Sequence, residues 1–373
     1  MKSIPILSLL AATPVWCQST SETLAPLIVT ASPTERTLFD LVQPATVISG
    51  HELAAGNQQT LGEILDGQPG VSATQFAPGS SRPIIRGLGD DRVRILQNGT
   101  SVLDVSNVSP DHAVSSDLSS ASSVEVVRGP ATLLYGPNAI GGVVNVIDGR
   151  IAEKAMESGD MNGYFDTKYG SADELFSLSG GLNLGAGPLV FHLDAFTKST
   201  ENLEIPGYAR SSRLRQDDPQ PDEARGFLPN SATESTGGAF GASYIWEKGF
   251  IGISFSGLDS EYGLVAEEGV FIDLQQRRWD LRGAFYEPAK GLREINYKFS
   301  HSDYEHTEFE GAEVGTIFKT DGYNARVEVK HEKIALLEGA VGFEIQNNDF
   351  SALGEEAFLP SVENHAQSLF LFE

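Results

Sequence analysis

Asp111 and His112 stand side by side, directly after Pro110, and their residue types could ligate a metal ion. Zinc accepts imidazole nitrogen and carboxylate oxygen in a four-coordinate shell, so the pair supplies at most two places. On a regular strand the two side chains would face opposite sides. Pro110 instead favours a turn, in which both can converge. By spacing alone an Asp-His pair on a polar loop reads as solvated, with metal binding the less frequent alternative. Motifs for catalysis are not present: there is no Gly-x-Ser-x-Gly, no His-Glu-x-x-His and no phosphate loop. Gly87-Leu88-Gly89-Asp90-Asp91-Arg92 begins like a dinucleotide fingerprint, but Arg92 replaces its third glycine, and the segment reads as a turn. No enzyme and no required cofactor are therefore expected.

The chain begins with Lys2 ahead of an apolar run from Ile4 to Val15, too short to span a bilayer but suited to a signal peptide over residues 1–17. A lipid anchor at Cys17 needs small residues before it, and Trp16 argues against that. Cys17 is the single cysteine, so the mature chain would have no disulfides, cysteine zinc sites or cysteine nucleophiles. The formal net charge is −25, which makes nucleic acid a poor partner. An acidic lumen or loop crown would concentrate cations, although such charge also serves solubility.

Two regions with different patterns must position these residues. Up to about Asp148 the chain reads as a compact α+β unit, with a capping box at Thr60–Glu63 and a two-residue hairpin at Asn98-Gly99. After about Gly159 long strands alternate, as in Trp279, Leu281, Gly283 and Phe285 against Asp280, Arg282 and Tyr286. About ten such strands are expected, each long enough to cross a bilayer when tilted. Short turns near Gly187, Lys248, Gly291 and Glu332-Lys333 interleave with longer connections at Thr200–Thr233, Ser260–Asp273, Glu305–Thr316 and Asn348–Asn364. Short periplasmic turns and long outer loops predict that order. A soluble β-sandwich would also alternate, but with shorter strands and no sidedness in its loops.

Several segments then resemble one family. Leu24-Ala25-Pro26-Leu27-Ile28-Val29-Thr30-Ala31 looks like a TonB box. Arg82-Pro83-Ile84-Ile85-Arg86-Gly87-Leu88, Val93-Arg94-Ile95-Leu96-Gln97-Asn98-Gly99, Val124 to Gly136 and Ala139 to Ile147 resemble the plug of TonB-dependent outer-membrane receptors. The resemblance implies a tail with the box over residues 18–35 and a plug over 36–150. It also implies the first part of a transmembrane antiparallel β-barrel over 160–373, about ten of about 22 strands. Leu27, Ile28, Val29 and Thr30 would add as a strand to TonB. The tail and plug would face the periplasm, with outer-membrane lipid around the barrel. Arg86, Arg94 and Arg128 could bind carboxylates on the barrel wall, or equally pair within the plug.

Ser106 to Val114, Asp303 to Glu308 and Phe350 to Phe358 resemble the zinc-uptake receptors within that family, whose plug carries zinc ligands on an Asp-His pair. Here those residues are Asp111 and His112. His306, Glu308 and Glu310, expected on an outer loop, are candidates for the remaining ligands; Glu267 and Glu268 are weaker ones. The Ser260–Asp273 segment has no histidine, a departure from the subfamily's histidine-rich loop that leaves another divalent cation or a metal chelate open. The expected function is import of a metal ion, zinc foremost, with a haem or siderophore receptor, or a nonfunctional fragment, as alternatives.

Overall fold

The computed structural model describes residues 28–29, 36–37, 43–56, 58–267, 269–354 and 357–373. The expected signal peptide, Leu27, Thr30 and Glu268 lie outside the described residues. Of the expected TonB box, Ile28–Val29 forms β1, paired antiparallel with β2, Arg36–Thr37.

The plug follows. Strand β3 (Ala45–Ser49) leads into α1 (Gly50–Ala55), and α2 (Leu61–Leu65) comes next. Both helices start with reciprocal capping boxes, Ser49 with Glu52 and Thr60 with Glu63, which satisfy amide groups that have no partner within the helix. Strands β4 (Val71–Ala73), β5 (Pro83–Ile85), β6 (Val93–Gln97), β7 (Thr100–Ser101) and β8 (Ser123–Arg128) follow, then α3 (Thr132–Tyr135) and β9 (Gly142–Ile147). Asn98 and Gly99 both have positive φ, 53° and 81°, as a tight turn between twisted strands requires. A five-stranded sheet runs in the order β3-β8-β9-β6-β7, with β6 and β9 parallel. Its core holds Leu61, Leu65, Ile85, Val124, Val126, Val144 and Val146.

Beyond residue 160 the chain forms one ten-stranded antiparallel sheet. Its members are β10 (Met161–Tyr169), β11 (Phe176–Ala186), β12 (Leu189–Thr200), β15 (Thr233–Trp246), β16 (Gly249–Gly263), β17 (Val270–Ala289), β18 (Leu292–Glu310), β19 (Glu313–His331), β20 (Ala340–Gly354) and β21 (Val362–Phe372). A separate hairpin, β13 (Glu204–Tyr208) with β14 (Arg225–Phe227), and α4 (Ser212–Asp217) fill the connection from β12 to β15. Strands of 9 to 20 residues exceed what a sandwich uses and reach the length needed to cross hydrocarbon. The cross-strand row Leu193–Phe240–Phe255–Trp279 lies on the outer face, where Leu193, Phe240 and Trp279 remain exposed. The row Ser254–Asp280–Ser300–Asn324 lies on the other face and is buried. A polar lumen filled by the plug produces this inversion of the usual inside-outside rule. Among the described residues no helix is long and apolar enough to cross a membrane, a statement that does not bear on strands.

The ends of the strands correct several expected loops. β18 continues to Glu310 and β19 resumes at Glu313, so the long loop expected over Glu305–Thr316 is a tight hairpin. The Ser260–Asp273 connection shrinks to residues 264–269, while the expected turn at Glu332-Lys333 widens to residues 332–339. Inward-facing positions of a water-lined strand are polar, and composition cannot distinguish them from a loop.

Candidate metal centre

His112 sits in the plug segment between β7 and β8. Its amide donates to the Ser109 carbonyl at 3.3 Å, closing a turn with Pro110 at the second position, which suits proline's fixed φ. The Ser109 hydroxyl donates to Asp111 Oδ1 within the same turn. Tyr262, at the end of β16, grips both sides of the histidine: its hydroxyl donates to the Asp111 carbonyl at 3.1 Å and accepts from the Ala113 amide at 2.9 Å. Gly79 passes against the same tyrosine so closely that a Cβ there would lie 2.4 Å from Tyr262 Cβ.

His306 and Glu308 are two residues apart on β18 and therefore share its inward face. The cross-strand row Leu274–His306–Phe318–Ala352 places His306 in the middle of the wall. His112, His306 and Glu308 are all buried, and their ligand atoms lie within 4.8 Å of one another. His112 Nε2 is 3.1 Å from Glu308 Oε1, His306 Nε2 is 3.7 Å from that same oxygen, and Asp111 Oδ2 is 4.0 Å from His112 Nε2. A tetrahedral shell with bonds of about 2.0–2.1 Å separates its ligand atoms by about 3.3 Å, close to these spacings.

The second ring nitrogens orient the first. His112 Nδ1 lies 3.0 Å from the Val105 carbonyl. A carbonyl only accepts, so Nδ1 carries the hydrogen and Nε2 is the ring atom turned toward Glu308. Nε2 faces a carboxylate oxygen, and a proton or a cation between the two makes the contact favourable. His306 Nδ1 is held by the Tyr304 hydroxyl at 2.8 Å, whereas His306 Nε2 is buried with no hydrogen-bond partner. Phe318 packs edge-on to His112 at 4.9 Å and tilted against His306 at 4.7 Å, shielding the site from water. Asp111, with 14% of its side chain exposed, is the open side. Two neutral imidazoles and two carboxylates would bring a divalent cation to net zero charge, which a buried site favours.

Glu310 shares the inward face of β18 but sits exposed at its tip, away from this group. Glu267 is likewise exposed, in the short connection after β16. The expected outer-loop location of His306 and Glu308 is corrected: both lie on the strand, inside the wall. Tyr262, Tyr304 and Phe318 were not expected at the site. Tyr304 and Phe318 occupy inward positions of alternating strands, a signal that could have flagged them, whereas nothing local marks Tyr262.

The three arginines expected at the plug-barrel boundary divide. Arg94 donates to Gln346 on β20 and lies 4.0 Å from Glu344. Arg128 instead bonds Thr46 and the Ala45 carbonyl inside the plug, and Arg86 is exposed with no ion pair among the described residues. Most cations at this boundary run the other way, from wall to plug. Arg278 reaches Thr100 and the Ser101 carbonyl, Arg326 the Leu134 carbonyl, Lys168 the Leu53 and Gly56 carbonyls, and Lys198 the Gln59 carbonyl. At the plug's exit, Arg150 binds Asp194 through Nε and Nη2 at 2.9 and 3.0 Å and Asp117 at 2.9 Å. Burial alone would lower the Arg150 pKa, but Asp148, Asp194 and Asp117 together hold it above its usual value.

Comparison with known proteins agrees with this architecture. Residues 37–143 match the family model of the TonB-dependent Receptor Plug Domain. The copper transporter OprC is 14% identical with a TM-score of 0.66, the match covering 88% of this chain and 52% of that one. The Serratia marcescens hemophore receptor HasR, solved with its hemophore HasA and heme, is 14% identical with a TM-score of 0.69, covering 90% and 50%. The siderophore receptor PirA from Pseudomonas aeruginosa is 16% identical with a TM-score of 0.60, covering 88% and 52%. The chain spans about half the length of these structures. The fold is a plug domain followed by a ten-stranded antiparallel sheet, like the plug and part of the barrel in these structures.

Proposed function

We propose that this chain is the plug and first barrel strands of a TonB-dependent outer-membrane receptor that imports a divalent transition metal, zinc foremost. The observation that carries this reading is the convergence of His112 Nε2 and Glu308 Oε1, 3.1 Å apart, beside His306 Nε2, which has no hydrogen-bond partner. Two imidazole nitrogens and a carboxylate oxygen converging in a buried place, one of the nitrogens with no hydrogen-bond partner, are a donor set that suits a cation. Imidazole with carboxylate favours zinc, copper or nickel over calcium or magnesium.

Asp111 and His112 belong to the plug, whereas His306 and Glu308 belong to the wall. A plug displaced by TonB, acting on the segment Leu27 to Thr30, would separate two ligands from the other two and release the ion toward the periplasm. The haem alternative is disfavoured by enclosure. His306 and His112 are 0% and 1% exposed, too enclosed to meet the face of a large planar ligand.

The test is a titration of the chain, refolded in detergent, with zinc, copper, haem and a ferric chelate. One zinc or copper ion bound per chain, and lost in His306→Ala and in Asp111→Ala/His112→Ala, is the expected result. Binding of haem or a ferric chelate but of no bare ion would overturn the proposal. Metal uptake by cells carrying the complete receptor, with the same substitutions, then tests transport.

A further inference from the structure

We infer that Asp104 is the positioning residue of this metal centre, setting both the place and the tautomer of His112; the inference rests on the metal reading above. Asp104 touches none of the ligand atoms. Its carboxylate nevertheless accepts four hydrogen bonds that tie together the two ends of the segment carrying Asp111 and His112. Oδ1 takes the Ser106 amide at 3.1 Å and the Ser106 hydroxyl at 2.7 Å. Oδ2 takes the Ser115 amide at 2.9 Å and the Ser115 hydroxyl at 3.1 Å. The loop between them is thereby closed at its base by one side chain.

The closure bears directly on the ligand. Ser106 N–H and the Val105 carbonyl belong to the same planar peptide unit and point in opposite directions. Holding the amide on Asp104 therefore aims the carbonyl, and that carbonyl is the acceptor for His112 Nδ1. If the peptide plane rotates, Nδ1 loses its acceptor and Nε2 is no longer held toward Glu308. Groups that orient a histidine through its other nitrogen commonly set metal affinity in this way.

The clasp also fixes depth against the wall. Gln276 on β17 donates to the Ser115 hydroxyl at 2.8 Å and to Ser302 on β18 at 3.1 Å. Ser302, Tyr304, His306 and Glu308 share one face of β18. The chain Asp104, Ser115, Gln276, Ser302 thus registers the plug ligands against the barrel ligands. Asp104 is half-buried, and burial raises its pKa although the bonds from Ser115 and Ser106 oppose the rise. An apolar residue of similar size would spare that desolvation, so the carboxylate is explained by what it holds.

The experiment uses cobalt(II), whose visible absorption reports tetrahedral ligation, titrated into the chain in detergent. Asp104→Asn keeps the shape but replaces one acceptor oxygen by a donor. It is expected to weaken cobalt and zinc binding by about 10–100-fold and to reduce the intense tetrahedral bands. Ser115→Ala removes a single hydroxyl, folds more readily, and is expected to weaken binding by about 2–10-fold, the worth of one hydrogen bond. Wild-type affinity and spectrum in both variants, even with a lowered urea midpoint, would overturn the inference and leave Asp104 a purely structural residue. If Asp104→Asn does not refold, Ser115→Ala decides alone, with wild-type affinity and spectrum overturning the inference. Absence of any cobalt band in the wild-type chain would instead sink the metal reading itself.

Discussion

Glu308→Gln separates the metal reading from its main competitor because the two readings differ in sign. In the wild-type chain Glu308 Oε1 lies 3.1 Å from His112 Nε2, and with the ring hydrogen on Nδ1 toward the Val105 carbonyl a neutral His112 would leave two buried acceptors facing each other. A buried polar group left unsatisfied costs about 1–3 kcal/mol. The glutamine amide supplies the missing donor at nearly the same position, so the metal-free variant is expected to be more stable than wild type by about that amount. Added zinc reverses the order. A ligand at a hundred times its dissociation constant stabilises the folded state by about 2.7 kcal/mol, and only the wild type keeps the carboxylate needed to bind it. The assay is urea unfolding in detergent, four curves in all, with and without zinc. Crossing of the midpoints, the variant ahead without zinc and behind with it, is expected. Equal destabilisation of the variant in both conditions would refute the reasoning, since it would mean that Glu308 serves as the partner of a protonated His112.

Three further outcomes follow from the plug and its boundary. Arg150→Met strands Asp117, Asp148 and Asp194 without their shared buried cation and is expected to cost about 3–5 kcal/mol, read as a lower urea midpoint and faster proteolysis of the plug. Gly99→Ala forces a side chain onto a residue with φ 81° and drives it to within 2.3 Å of Lys298 Nζ, so a loss of about 1 kcal/mol or more is expected in the same assay. The carboxyl of Glu52 is held below its usual range by the Ser49 backbone amide and hydroxyl. Its contribution to capping α1 is therefore complete above the ordinary glutamate pKa and is lost as pH falls through the lowered value. Amide exchange over residues 50–55 should accelerate on acidification in that window, and Glu52→Gln should abolish the pH dependence.

Much of the architecture was legible because local rules govern it. The period-two alternation around Trp279 requires a two-faced strand whatever its neighbours, and the Thr60–Glu63 box and Asn98-Gly99 turn are settled within four residues. The Ser49–Glu52 box carries the same local signal as Thr60–Glu63. Pro110 likewise sets the turn that lets Asp111 and His112 converge. Where a strand ends is different, since pairing decides it: Glu305, His306 and Thr307 are polar like a loop, yet β17 and β19 both pair with them as strand.

The metal group shows the same division. Its residue types were readable, and the family resemblance suggested zinc ligation as the role of the Asp-His pair. That His306 and Glu308 come to His112, and Glu310 does not, depends on β18 register and on plug depth across a separation of 196 residues. The boundary arginines follow suit: Arg94 and Arg128 both sit on plug strands, but only the placement of plug against wall sends one to Gln346 and the other to Thr46. Spacing along the chain determines which side chains share a face. Which faces meet, and therefore which lone pairs converge, is a property of the packed domain and wall together.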